Sequence, residues 1–370
     1  MPGTPGRRLR GRGNACALDS HGTACGRRRR RSDKGRTMRA TVKDVAARAG
    51  VSPKTVSNVI TGRVAVSPAT RERVERAVAD LDYVPNLSAR GLRNGRTGVI
   101  AVALPDLGTA YSAELAHHLV EVAHEAGYSI QMEETGSRPD RERDLMSRAR
   151  EHLVDGLILN PVLLSRSAIA RAESLPPVVV IGEVEQEIVD RVLVDSVRAA
   201  YDMTRHLLGT GARRIAALGT ATREESAAGD LRRIGYRRAM EEAGEVPVEI
   251  DRTGWNSASG AEAVEAWLAD GNPVPDALFC FTDGLAFGAL RALADHGVRV
   301  PEDIQVAGFD DVDQSRFSIP TLTTVHFDIR AYAEAAVGQL VRRIEERDGP
   351  PVQLVIPHRI VVRGSTRPTA

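Results

Sequence analysis

Three cysteines in 370 residues, Cys16, Cys25 and Cys280, are too few and too scattered for a disulfide framework, which excludes the small stapled secreted folds. No apolar run approaches the roughly 18 residues that a membrane span needs. The basic residues 1–37 lack the apolar core of about 7–15 residues that marks a secretory signal. A Gly-rich phosphate loop and a nucleophile elbow are both missing, which leaves nucleotide hydrolysis and acyl transfer without their usual machinery. An excess of either charge is lacking too, with 50 Lys+Arg against 49 Asp+Glu. The remaining composition, 42% hydrophobic and 27% charged, is ordinary and excludes wholesale disorder. The length is enough for two or three domains with a sizeable core. A reducing, cytoplasmic setting is expected.

The charge balance changes when it is divided along the chain. Residues 1–37 hold 11 Lys+Arg and 2 acids, residues 38–92 hold 9 and 5, and residues 93–370 hold 30 and 42. A basic front on an acidic body points to a nucleic-acid-facing end, because phosphate binding rests on clustered cations. The extreme end, residues 1–37, is Arg-, Gly- and Pro-rich with an unbroken run Arg27–Arg31, and reads as a disordered basic extension. It either adds non-specific DNA affinity or precedes the true initiator at Met38. The second reading is preferred, because ordered sequence starts abruptly at Thr41. Cys16 and Cys25 flank His21, but two Cys and one His in a disordered tract make no credible metal site.

From residue 41 the chain reads as short helices. Val42, Val45, Ala46 and Ala49 keep helical spacing until Gly50, and Ser52–Pro53 then gives an N-cap and first-position signal for a second helix through Val56, Val59 and Ile60. Ser67–Pro68 repeats the signal for a third helix carrying Val74, Ala77, Val78 and Leu81. Two short helices across a Gly-containing turn describe a helix-turn-helix. From residue 97 apolar runs alternate with amphipathic stretches: 98–104, 128–132, 154–159, 178–181, 192–194, 215–218, 277–281 and 304–307, separated by helical patterns. That order indicates buried parallel strands with helical crossovers. So many units exceed one sheet, and two doubly wound parallel-sheet subdomains with a cleft between them are expected.

The stretch Thr41-Val42-Lys43-Asp44-Val45-Ala46, followed by Ala49-Gly50-Val51-Ser52 and Thr55-Val56-Ser57, resembles the DNA-binding head of the lactose-repressor (LacI/GalR) family. Val66-Ser67, Thr70-Arg71, Tyr83-Val84-Pro85-Asn86 and Ala89-Arg90-Gly91-Leu92 continue the likeness. So do Arg232 ahead of Gly235-Tyr236, then Gly308-Phe309-Asp310-Asp311, and Pro320-Thr321-Leu322-Thr323-Thr324-Val325. The resemblance spans about 41–366, with motifs of both halves in family order. It implies an all-α helix-turn-helix head (38–84), a hinge helix and linker (85–96) and a periplasmic-binding-protein-like α/β body. One body subdomain would comprise 97–194 and 325–349, the other 195–324 and 350–366, with a tail at 367–370.

In a helix-turn-helix the second helix enters the major groove and its first residues reach base edges. Pro53, Lys54 and Asn58 are the specificity positions that the resemblance implies. Lys54 can donate to guanine and Asn58 can pair with adenine. Thr41, Ser52, Thr55, Ser57, Thr61 and Ser67 are small donors suited to phosphate contacts. Asn86, Ala89, Arg90 and Leu92 fall on the family's hinge helix. At seven residues containing Gly91 this segment is too short to be stable alone, and Leu92 is expected to wedge between base steps when paired with its dimer mate on DNA.

In open α/β sheets ligands sit beyond the carboxyl ends of the strands, where Tyr111, Ser112, Trp255, Thr282 and Asp310 are placed. The resemblance puts Arg232, Trp255, Thr282 and Asp310 on effector-contacting positions, with Thr282 replacing a common Asn. Asp283 reads as the N-cap of the next helix. His117, Glu121 and His124 share a helical face, but one helix without a second contributing motif does not make a metal site. The expectation is therefore a homodimeric transcriptional regulator without cofactor or metal, most simply a repressor. It would bind a pseudo-palindromic double-stranded operator and answer to a small ligand, a sugar or sugar phosphate by preference with a purine-like ligand as the alternative, in a cytoplasmic, nucleoid-associated setting. Two other classes fit the sequence less well. A periplasmic-type sugar-binding protein needs a secretory signal and no head, and residues 1–92 contradict both; an enzyme body lacks a catalytic constellation.

Overall fold

The computed structural model describes residues 40–61, 64–83, 96–136, 138–151, 153–161, 177–184, 186–220, 227–251, 254–346 and 349–369. The basic extension and the expected hinge residues Asn86, Ala89, Arg90 and Leu92 lie outside that set. The chain forms two compact units, Met1–Pro85 and Asn86–Ala370.

The first unit contains α1 (Val42–Ala49), α2 (Pro53–Thr61) and α3 (Pro68–Asp80). A capping box opens α1: Asp44 N–H donates to Thr41 Oγ1 at 3.4 Å, and Thr41 N–H donates to the Asp44 carboxylate at 2.8 Å. Gly50 closes the helix at φ +65°, a left-handed conformation that glycine adopts without Cβ strain. Ser52 Oγ accepts from Thr55 N–H at 3.1 Å, so Ser52–Pro53 starts α2 as its sequence indicates. Ser67 occupies the N-cap of α3, but its hydroxyl turns to Thr70 Oγ1 at 2.9 Å instead of a backbone donor. Val45, Val56 and Val74, each fully buried, bring the three helices onto one small core that includes Tyr83.

The second unit holds two six-stranded sheets. In the first, order β11-β5-β4-β3-β1-β2, all pairings are parallel: β1 (Val99–Leu104), β2 (Ser129–Glu134), β3 (Gly156–Leu159), β4 (Val178–Ile181), β5 (Asp190–Val194) and β11 (Gln353–Ile356). The second, order β12-β10-β9-β8-β6-β7, contains β6 (Ile215–Thr220), β7 (Val248–Asp251), β8 (Ala277–Cys280), β9 (Gln305–Asp310), β10 (Thr323–Phe327) and β12 (His358–Val361). Only β12 runs antiparallel there, against β10.

Helices cover both sheet faces, which is why the central strands are apolar without alternation. On the first sheet, α4 (Ala110–Glu125) and α10 (Ile329–Glu345) bury Ile100 and Val102, while α5 (Pro139–Arg150) buries the opposite Ala101 and Leu157. On the second, α6 (Ser196–Gly209) and α7 (Ala227–Glu242) meet Ile215 and Ala217, and α8 (Ser257–Ala269) and α9 (Asp283–Asp295) meet Ala216 and Leu278. At Gly235 a Cβ would overlap the Val197 carbonyl oxygen, so glycine there sets the closeness of α7 to α6. Among the described residues, no helix is long and apolar enough to cross a membrane.

Two sequence-based boundaries need correction. The whole of β10 stays in the second sheet, with Thr323 opposite Ala307 and His326 opposite Asp310, so the chain leaves that sheet after Phe327 and not at 325. Gln353–Ile356, assigned by sequence to the second subdomain, pairs parallel with β5 of the first, and the chain returns only at β12. β10 mixes Thr and His with its apolar residues and β11 offers only the three-residue run Leu354–Ile356, so neither announces its sheet, which is decided by distant partners.

Candidate functional sites

The head presents one face of α2 away from its core. Val56 and Val59 are buried on α2, while Pro53 and Lys54 are exposed and Ser57 and Asn58 are half-buried. Residues four apart share a face, so Pro53 with Ser57 and Lys54 with Asn58 form one strip away from the core. The small hydroxyls are partly engaged nearby: Thr41 in its capping box, Ser52 with Thr55 Oγ1 at 2.9 Å, and Ser67 with Thr70. Each such oxygen keeps a further lone pair or its proton for another partner. Thr61 closes α2, and its side chain lies outside the described residues. An Arg48–Asp80 ion pair at 2.7 Å joins α1 to α3, well exposed on both sides.

In the body, a cavity of about 770 Å³ opens at the carboxyl ends of strands from both sheets. All six residues singled out from sequence, Tyr111, Ser112, Arg232, Trp255, Thr282 and Asp310, line it. Helix starts bring several of them there. Thr109 caps α4 by accepting from Ser112 N–H at 3.2 Å, which sets Tyr111 and Ser112 in its first turn. Asn256 caps α8 by accepting from Ser259 N–H at 3.0 Å, directly after Trp255. Thr282 caps α9 by accepting from Leu285 N–H at 3.1 Å.

The cap of α9 is a second correction. Asp283, not Thr282, reads from sequence as the cap; in the fold Asp283 is the first helical residue and fully buried. Its carboxylate accepts from Val312 N–H at 3.0 Å, Ser315 Oγ at 2.6 Å and Thr324 Oγ1 at 2.6 Å. Burial outweighs these bonds and, with Asp311 nearby, pushes the Asp283 carboxyl up to about 7. The three donors lie on and beside the turn that follows β9, where Asp310 and Asp311 both have positive φ, +118° and +53°. Such consecutive conformations are costly outside glycine and persist where surrounding bonds over-determine them. Here Asp311 is gripped by Arg363 at 2.6 Å and His326 Nδ1 at 2.8 Å.

Arg232, only 6% exposed, is the cation of the cavity. Its guanidinium donates to the Phe281 carbonyl and to Glu183 Oε1 at 3.2 Å, and lies 4.0 Å from the Asp310 carboxylate. Its Nε is buried without a hydrogen-bond partner among the described residues. Burial pushes the Asp310 carboxyl well up; Arg232 opposes this, and Asp283, Glu183 and Glu114 reinforce it. An aromatic cluster closes one wall, with Phe327 against Tyr111 at 6.2 Å and against Tyr332 at 5.9 Å between ring centroids. The Tyr332 hydroxyl accepts from Gly182 N–H at 2.7 Å and donates to the Val192 carbonyl at 3.0 Å.

Known proteins share this chain's domains and fold. Residues 41–86 match the bacterial regulatory proteins of the lacI family, and residues 204–366 match the periplasmic binding protein-like domain. The HTH-type transcriptional regulator DegA of Bacillus subtilis is 33% identical over 340 residues, covering 90% of this chain and 99% of that protein. The chain belongs to the lacI family of bacterial regulatory proteins. Among solved structures, the Lac repressor dimer bound to operator and the anti-inducer ONPF superposes with a TM-score of 0.75 at 29% identity, covering 89% and 99% of the two chains. A complex of the transcriptional regulator CelR with cellobiose gives 0.63 at 31% identity, covering 88% and 100%. The lacI family membership makes this chain a transcriptional regulator with a helix-turn-helix head and two parallel-sheet subdomains.

Sequence reasoning missed several cavity residues of this lacI-family body. Asn160 directly follows β3 and Glu183 follows β4 by two residues, so the carboxyl-end rule could have found both. Asp106 and Glu134, beyond β1 and at the end of β2, satisfy the same rule. Phe327 ends β10 and meets the rule as well, but Tyr332 carries no such mark; both sit at the crossing from β10 to α10, which the sequence misplaced.

Proposed function

We propose that this chain is a ligand-responsive repressor that binds a pseudo-palindromic operator as a homodimer and carries out no catalysis. The observation that carries this reading is the convergence of Tyr111, Ser112, Arg232, Trp255, Thr282 and Asp310 on one cavity supplied by both subdomains. An indole beside hydroxyl, carboxyl and guanidinium groups suits a polyhydroxylated ligand, and the similar regulator CelR was solved in complex with cellobiose, so a sugar is the preferred effector. Lys54 and Asn58 would read bases, Thr41, Ser52, Thr55, Ser57, Thr61 and Ser67 would contact phosphates, and Asn86, Ala89, Arg90 and Leu92 would form the hinge. Dimerisation is supported by the family's Lac repressor dimer and by the exposed apolar Phe317 and Ile319, 75% and 94% accessible. The site of action is the bacterial cytoplasm, on the nucleoid.

Effector binding between the subdomains would alter their relative angle and destabilise the hinge pairing on DNA. A coupling of about 1–3 kcal/mol changes operator affinity roughly 5–150-fold. The test is selection of binding sites from a random palindromic DNA pool at several salt concentrations, using the full chain. Enrichment of one two-fold motif is expected. Retention of all sequences alike, vanishing together as salt rises, would leave only non-specific phosphate binding.

A further inference from the structure

Charge within the cavity is unevenly supplied. Among the described residues lining it, Asp106, Glu134, Glu183 and Asp310 are acidic, and Arg232 is the single Lys or Arg. That cation is already answered, because Glu183 Oε1 lies 3.2 Å from the Arg232 guanidinium and also accepts from Ser196 Oγ at 2.6 Å. Glu183 extends from the end of β4 in the first sheet, and Arg232 stands on α7 over the second, so the pair spans the cleft. Both side chains are largely buried, 13% and 8% exposed, where an ion pair is poorly screened. The helix starts at the cavity, which elsewhere attract anions, have a backbone donor taken by Thr109, Asn256 and Thr282 respectively. Even with Asp310 protonated, three carboxylates face one paired guanidinium.

We propose that Glu183 is a specificity-determining residue: by occupying Arg232 across the cleft, it excludes phosphorylated and carboxylate-bearing ligands and selects uncharged or amine-bearing polyols. This rests on the cavity being the effector site and adds the charge class of the effector. A like charge built into a site is a common way of rejecting the wrong partner. An anionic ligand reaching for Arg232 meets Glu183 first, whereas a hydroxyl can accept from Arg232 and donate to Glu183 together.

The test uses inorganic phosphate as the probe, with affinity measured by calorimetry on the full chain without DNA. The variants are Glu183→Gln, which keeps an acceptor for Ser196, and Glu183→Ala as a parallel in case the amide perturbs folding. Each should bind phosphate about tenfold or more tighter than the parent, because the repelling charge is gone. Adding Arg232→Gln to Glu183→Gln should abolish that gain, which separates the cavity from the basic head as the phosphate site. Equal phosphate affinity in the parent and both variants, or a gain that survives Arg232→Gln, would overturn the inference. The assay needs no effector and no operator. A protein that shows the gain but never answers to a ligand on DNA would lose the effector reading alone.

Discussion

The guanidinium carbon of Arg232 lies 3.6 Å from the centroid of the Phe309 ring, one residue before Asp310. That stacking joins α7 to the end of β9 and orients the Arg232 guanidinium by its face while Glu183 and the Phe281 carbonyl fix its edge. A buried cation over an aromatic face contributes about 2 kcal/mol beyond packing. Phe309→Leu keeps an apolar side chain and removes the ring. It should lower unfolding free energy by about 2–4 kcal/mol in urea titration, packing loss included. A loss below about 1 kcal/mol would mean the stacking contributes little.

Asp283 gives a second expectation. Removing its carboxylate leaves Val312 N–H and the Ser315 and Thr324 hydroxyls buried without an acceptor. Asp283→Ala should therefore cost about 3 kcal/mol or more, while Asp283→Asn, which keeps one acceptor oxygen, should cost less. Equal stability of the two variants would show that the turn after β9 is held by Arg363 and His326 on Asp311 instead.

Glu142 makes stability depend on pH. It is 3% exposed, its Oε2 has no partner among the described residues, and burial pushes its carboxyl up to about 7, with Arg143 opposing. A carboxyl that holds its proton more tightly when folded contributes stability below its unfolded value near 4.5 and loses it as pH rises through about 7. Glu142→Gln should raise the urea midpoint at alkaline pH and leave it nearly unchanged below the unfolded value. A difference independent of pH would place the effect in packing.

Leu92, outside the described residues, carries the expectation drawn from the hinge motif. Leu92→Ala should weaken binding to the selected operator about tenfold or more, since the unstacking wedge is lost, with less effect on non-specific DNA. Equal losses on both would refute the wedge role.

Much of this was legible in the sequence because the signals are local. Ser52–Pro53, Gly50 and the Val56/Val59 spacing place the head helices without reference to anything distant, and long apolar runs such as 98–104 mark central strands. What failed depends on distant partners. Leu354 and Ile356 join the first sheet only because β5 is there to receive them. Asp283 looks like a cap in isolation, and its three donors come from residues 29 to 41 positions away. Glu183 could be placed at the cavity by its position after a strand, but its pairing is defined by Arg232, 49 residues on.

The most direct measurement is fluorescence anisotropy of the selected operator with the full chain, titrated with a panel of neutral sugars, for the parent and Asp310→Asn. At least one sugar should change operator affinity roughly 5–150-fold in the parent, and the variant should bind the operator normally but lose that response. An operator affinity indifferent to every sugar in the panel, or a response undiminished in Asp310→Asn, would contradict control of DNA binding by a sugar in this cavity.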